Sequence, residues 1–205
     1  IVITDNGIKG LIIKNNIHTF EVLDAHIDNA ILTAITPRHK SVAEFTAYSD
    51  DGLVPSFDNT SKKVLIKVGS GMKILQLVLR CFEEGLTGLE WFTGIPGSVG
   101  GAVYMNIHGG NYFFSDFLLN LRTIDSNGVE HTYSKKDLGF DYDWSRFHDH
   151  YEIILDVTLQ VYKGDLEKAQ TIWQEWGKKK IVSQPQKSCG CIFQNLTIEQ
   201  QHMLG

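Results

Sequence analysis

Gly88-Leu89-Glu90-Trp91-Phe92-Thr93-Gly94-Ile95-Pro96-Gly97-Ser98-Val99-Gly100-Gly101-Ala102-Val103-Tyr104-Met105-Asn106 is the stretch on which the reading of this chain turns. Six glycines fall among the seventeen positions from Gly94 to Gly110, with the small residues Ser98 and Ala102 between them. An ordinary turn needs less freedom. Glycine lacks the Cβ that blocks close approach, and consecutive exposed N–H groups form an anion-binding concavity, so a diphosphate-bearing cofactor is the expected occupant. The spacing is neither the GxGxxG of a dinucleotide fold nor the GK[ST] of a phosphate loop. For a lone Gly-Gly pair, tight packing of a loop on a sheet would be the better reading; the length of this string argues against it.

The segments on either side predict an α+β fold with a mainly antiparallel sheet and flanking helices. Val64 to Val68 is a β-branched run closed by Gly69-Ser70-Gly71. Apolar residues at 74, 75, 78, 79 and 82 then predict a helix over Met72 to Glu84, capped by Gly85. Upstream, Asp50 to Lys63 reads as a surface loop and an insertion, while Thr19 to Val22 and Ile31 to Ile35 are β-rich. The opening reads as a strand, an Asp5-Asn6-Gly7 turn and a second strand over Gly10 to Lys14. Downstream, Leu118 to Ile124 and Val129 to Tyr133 flank the turn Asp125-Ser126-Asn127-Gly128 as a hairpin, and Tyr151 to Tyr162 is a further strand. Leu166 to Lys180 is an amphipathic helix led by Asp165 and carrying Trp173 and Trp176.

Composition narrows the function classes. A chain of 205 residues, 42% hydrophobic and 21% charged, is globular rather than disordered. The net charge of -5, with basic residues scattered apart from Lys178-Lys179-Lys180, leaves no footprint for a nucleic-acid backbone. The longest apolar stretches, such as Ile74 to Leu79, fall far short of the roughly 20 residues that span a bilayer. Cys81, Cys189 and Cys191 form neither an even disulfide framework nor a paired zinc pattern, which suits a reducing, cytoplasmic compartment. Because it opens on Ile1-Val2-Ile3 and stops at Gly205 without a terminal signature, the chain is expected to be a fragment.

The string Gly88 to Asn106 resembles the flavin loop of the UDP-N-acetylenolpyruvoylglucosamine reductase family, which makes UDP-N-acetylmuramate for bacterial peptidoglycan. Two further segments agree in order. Val2 to Ile13 resembles the stretch after the family's first glycine-rich FAD loop, with Thr4 where the family often has Ser. Gln184-Pro185 and Ser188-Cys189-Gly190-Cys191-Ile192-Phe193-Gln194-Asn195 resemble its QP and SAG(S/C)xFKN motifs. The resemblance covers most of the chain except residues 27 to 63.

It implies a vanillyl-alcohol-oxidase/PCMH-type FAD-binding fold. Residues 1–26 would end a first FAD-binding subdomain, 27–186 would form the second with an insertion at about 27–63, and 187–205 would begin a truncated substrate-binding domain. It also implies FAD as cofactor, NADPH as reductant and a small nucleotide-sugar substrate, UDP-N-acetylglucosamine enolpyruvate. Cofactor binding would fall to Gly94, Ile95, Pro96, Gly97, Ser98, Val99, Gly100, Gly101, Ala102 and Asn106, and substrate binding to Tyr142 and Asn195. Cys191 occupies the position of the proton donor. A thiol of ordinary pKa, about 8.5, is protonated at neutral pH and can fill that role. The bland alternative for Cys191 is a small buried hydrophobe, and a metal pair with Cys189 has no second pair to complete it.

The departures are as informative as the matches. The family's Tyr-Arg-x-Ser-x-Phe corresponds to Tyr142-Asp143-Trp144-Ser145-Arg146-Phe147, so the catalytic position expected to polarise a substrate carboxylate is Asp143. An altered catalytic role and a merely structural carboxylate both stay open for it. Arg146 could restore the charge only in a rearranged segment, because in a strand it faces the other side. His108 stands where the family has Gly, Gln194 where it has Lys and Leu196 where it has Pro. Trp91 and Phe92 read as core aromatics, and His148-Asp149-His150 as a solvated turn. These departures leave room for a paralogous flavoenzyme acting on another substrate, or for a degenerate flavin-binding module.

Overall fold

The computed structural model describes residues 5, 7, 9–23, 35, 53–183 and 203. Strands β1 (Phe20–Leu23) and β2 (Lys62–Gly69) are followed by helix α1 (Ile74–Glu83) and the short helix α2 (Val99–Tyr104). The two-residue strands β3 (His108–Gly109) and β4 (Tyr112–Phe113) lead into a single helical turn α3 (Phe114–Phe117). Strands β5 (Leu118–Ile124), β6 (Glu130–Ser134) and β7 (Ile153–Lys163) and the long helix α4 (Leu166–Ser183) complete the order. The main sheet runs β1-β2-β7-β5-β6, every pairing antiparallel, and β3-β4 forms a separate ribbon.

Alternation in the strands decides which face packs. Val64, Ile66 and Val68 of β2 and Val157, Leu159 and Val161 of β7 are buried together with Leu121 of β5. In the same core lie Ile74, Leu77, Val78 and Cys81 of α1 and Ile172 and Trp176 of α4. Burial of the Cys81 thiol pushes its pKa far up, so it behaves as a small core group. The Asp165 carboxylate accepts the Lys168 N–H at 3.0 Å and starts α4, while Gly85, at φ +67, ends α1.

Two expectations need correction. Gly10 to Lys14 is not a strand among the described residues, and Leu11 is 84% exposed; only further on do the Ile17 and Thr19 carbonyls accept the Gly71 and Gly69 N–H groups, at 3.0 and 2.9 Å. The loop before β2 is also less superficial than its composition suggests. Phe57 is buried and stacks on Tyr162 at 4.2 Å, and Ser56 donates to the fully buried Glu90 carboxylate. Ile35 is buried but not in a strand, and Ile1 to Ile3, Asn6 and residues 31–34 lie outside the described residues. Among the described residues no helix is long and apolar enough to cross a membrane.

Candidate functional site

The glycine string folds as a buried helical turn, an open loop and the start of α2. Trp91 and Phe92, 1% and 0% exposed, fix the turn in the core. Gly94 and Gly97 then adopt φ of +71 and +143, and Ser98 caps α2 by accepting the Gly101 N–H at 3.3 Å. The expected run of free N–H donors is only partly present. Val99 N–H donates to the Met72 carbonyl and Gly100 N–H to the Ser70 carbonyl, each at 2.8 Å, and Ala102 N–H returns to Ser98. A seam to the segment after β2 uses these donors. Among the described residues, the N–H groups of Gly97 and Ser98 make no hydrogen bond.

Gly94, Ile95, Pro96, Gly97 and Ser98 form one wall of a cleft of about 1320 Å³, and α4 forms the other through Trp173, Gly177, Lys178, Lys180 and Ile181. Lys73 joins them. Apolar walls, two open backbone donors and three ammonium groups suit a long ligand with a flat apolar part and a diphosphate. Gly94 is needed for this closeness, since a Cβ there would stand 3.2 Å from Lys180 Cδ. Burial lowers the Lys180 pKa to about 8. Val99 and Ala102 sit in the core beneath the loop, Gly100 lies against Ser70, and Gly101 is exposed.

Asn106 takes a different position from the loop. It is buried at φ +44, its Nδ2 donating to the Asp141 carbonyl at 2.8 Å and its Oδ1 accepting the Ser115 N–H at 3.2 Å. This ties the end of α2 to the tight turn Asp141–Trp144, whose end residues exchange two backbone hydrogen bonds of 3.2 Å. Asp143 occupies the left-handed position of the turn at φ +50. Aspartate tolerates that conformation better than most residues. Tyr142 packs on the His108 ring at 5.2 Å, and Asp143 Oδ1 lies 3.9 Å from His108 Nδ1. Burial raises the Asp143 pKa; burial and then the Lys180 charge lower that of His108 to about 4.

Arg146 does not stand in for the missing arginine. Its guanidinium covers the Tyr133 ring at 4.2 Å and lies 3.7 Å from Glu152. His148 stacks on Trp144 at 4.4 Å, leaving only Asp149 and His150 exposed in that run. Cys191 and Asn195, together with Cys189, Gln194 and Leu196, lie outside the described residues. Lys73 and Lys180 were the residues that sequence reasoning missed. A signal existed for Lys180: Trp173, Gly177, Lys180 and Ile181 share one helical face, an apolar stripe that includes a lysine.

Residues 52–134 match the family described as FAD binding domain. A UDP-N-acetylenolpyruvoylglucosamine reductase of Chlamydia felis is 39% identical over 154 residues, covering 71% of this chain and 50% of that protein. The protein of the same name from Nostoc punctiforme is 35% identical over 133 residues, covering 63% and 40%. The crystal structure of UDP-N-acetylenolpyruvylglucosamine reductase from Thermus caldophilus superposes with a TM-score of 0.57 at 29% identity, covering 75% of this chain and 52% of that one. The chain belongs to the UDP-N-acetylenolpyruvoylglucosamine reductase family. It spans about half the length of the curated relatives it matches. With that membership, the antiparallel sheet and its helices are the family's FAD-binding domain fold.

Proposed function

We propose that this chain is the flavin-binding part of an FAD-dependent reductase that uses NADPH to convert UDP-N-acetylglucosamine enolpyruvate into UDP-N-acetylmuramate for peptidoglycan synthesis in the cytoplasm. The observation that carries the reading is the cleft: the family's glycine string forms one wall of it, and lysines 73, 178 and 180 border it. When bound, FAD supplies the hydride carrier between NADPH and the enolpyruvyl double bond. The chain's own residues then have distinct tasks. Gly97 and Ser98 N–H and the nearby ammonium groups hold the diphosphate, and Ile95, Pro96 and Trp173 exclude water from the flat ring. Asn106 acts at one remove, by holding the Asp141–Trp144 turn.

Tyr142 contacts the sugar nucleotide, Cys191 delivers a proton to the substrate carbon and Asn195 binds substrate as part of the same proposal. So does the division into a first FAD-binding subdomain ending near residue 26, a second to about 186 and the start of a substrate domain beyond it. Full-length protein carrying this sequence should purify yellow, bleach on mixing with NADPH, and recover its flavin absorbance when the enolpyruvyl substrate is added. Colourless protein after supply of FAD would remove the cofactor assignment. Bleaching without recovery would favour a second reading, a paralogous flavoenzyme on another substrate. The contact between Asp143 and His108, two positions where the chain departs from the family, supports that alternative.

A further inference from the structure

Two departures from the family meet in space. His108 sits in the β3-β4 ribbon and Asp143 in the turn that Asn106 holds against it. The imidazole packs against the Tyr142 ring at 5.2 Å and the Phe113 ring at 6.0 Å, two rings that also touch each other at 6.4 Å. Its Nδ1 is sealed from solvent and makes no hydrogen bond, whereas Nε2 is not sealed. A buried ring nitrogen without a partner is costly, and the group facing it is the Asp143 carboxylate, 3.9 Å away. Closing that gap by about 1 Å gives a normal hydrogen bond. The turn already fixes the backbone that carries the carboxylate, with Asp143 held in the left-handed region.

Resting on the flavin reading above, we propose that Asp143 and His108 form one recognition unit, in which Asp143 accepts the Nδ1 proton and Nε2 accepts a hydrogen bond from a hydroxyl or amide N–H of the sugar ligand. The ligand class follows from the lone pair. A neutral imidazole protonated on Nδ1 presents a bare Nε2, which accepts but cannot donate. A ligand carboxylate facing this edge would meet a lone pair backed by a carboxylate, where the family's arginine would have attracted it. Among the described residues, the charged and titratable groups around the ring are Asp143, Lys180 and the Tyr142 phenol; burial together with Lys180 keeps the imidazole neutral at physiological pH. His108 and Asp143 are therefore specificity residues, Asp143 acting through His108.

Histidine-selective 15N labelling of the full-length protein tests the first half directly. The His108 resonances should report a neutral ring protonated on Nδ1 in the wild type, and Asp143→Ala should shift the ring toward the Nε2-protonated form. A wild-type ring protonated on Nε2, or a tautomer indifferent to Asp143→Ala, overturns the proposal. For the second half, calorimetry with UDP-N-acetylglucosamine should show roughly tenfold weaker binding in His108→Phe and recovery to within about threefold in His108→Gln, which restores an acceptor. Unchanged affinity in His108→Phe also overturns it. The flavin absorbance of the same wild-type sample separates the two levels, since a colourless protein with the stated tautomer refutes the flavin reading alone.

Discussion

Asn106 and Asp141 are joined by a hydrogen bond of 2.8 Å across 35 residues of sequence, and the same amide accepts the Ser115 N–H on its other side. One buried side chain therefore positions both the exit from α2 and the turn that carries Tyr142 and Asp143. Asn106→Ala removes both bonds and puts alanine at φ +44, which together should cost roughly 2–4 kcal/mol. Asn106→Asp keeps the acceptor and loses the donor, so it should fall between. Urea denaturation of the full-length variants checks this; an unchanged midpoint for Asn106→Ala would remove Asn106 from its positioning role.

Gly100 and Gly101 are neighbours in sequence and opposites in setting. A Cβ on Gly100 would meet Ser70 Cβ at 3.1 Å and the Ser70 carbonyl at 3.2 Å, so substitution presses α2 away from the segment after β2. A Cβ on Gly101 meets only Ser98 Oγ, at 3.6 Å. Gly100→Val should lose roughly 1–3 kcal/mol of stability, as overpacked sites do. Gly101→Val should stay folded and hold flavin at least about tenfold more weakly if the cofactor passes over this face. Thermal melts paired with flavin titration separate the two outcomes, and equal flavin affinity in Gly101→Val would place the cofactor elsewhere.

The buried imidazole of His108 makes stability depend on pH in a defined window. Its folded pKa of about 4 lies below the ordinary 6.5, so between those values the unfolded chain binds more protons than the folded one. Stability contributed by His108 is full above pH 6.5, declines as pH falls toward 4 and levels off below, with a total of up to about 3 kcal/mol. His108→Gln should flatten that part of the profile. Parallel pH–stability curves for the two proteins would show that the ring is not held neutral by the fold.

Proton delivery can be separated from flavin reduction. On the proposed reaction, reduction by NADPH needs no acid from the protein, whereas the enolpyruvyl carbon must be protonated. Cys191→Ala in full-length protein should leave bleaching by NADPH nearly intact and slow recovery with substrate by roughly 100-fold. Stopped-flow absorbance measures both. Equal slowing of the two phases would strip Cys191 of the donor role.

Much of the scaffold could be read from the residues because its elements follow simple periodicities. The helix after Gly71, the hairpin around Asn127-Gly128 and the Asp165 cap stand within a residue or two of their expected places. The short helix α2 was hidden: Val99-Gly100-Gly101-Ala102 has little helix propensity, and the Ser98 cap with the seam to Met72 and Ser70 imposes the conformation. Likewise nothing local to His108 or Asp143 announces their contact, which depends on the Asn106 bond and on ring packing between distant segments. Loop-wall residues were legible as glycines, but the opposing lysines were not, because a surface lysine and a cleft lysine look alike until α4 is docked.

The hydrogen bonds from Val99 and Gly100 to the segment after β2 also bear on how a ligand would be received. They fix the outgoing end of the loop during folding, so little backbone ordering is left for the moment of association. Binding to such a rigid wall should release heat without a large compensating entropy loss, and the encounter should proceed in one kinetic phase. A loop that had to freeze around its guest would instead show a slow second phase independent of ligand concentration.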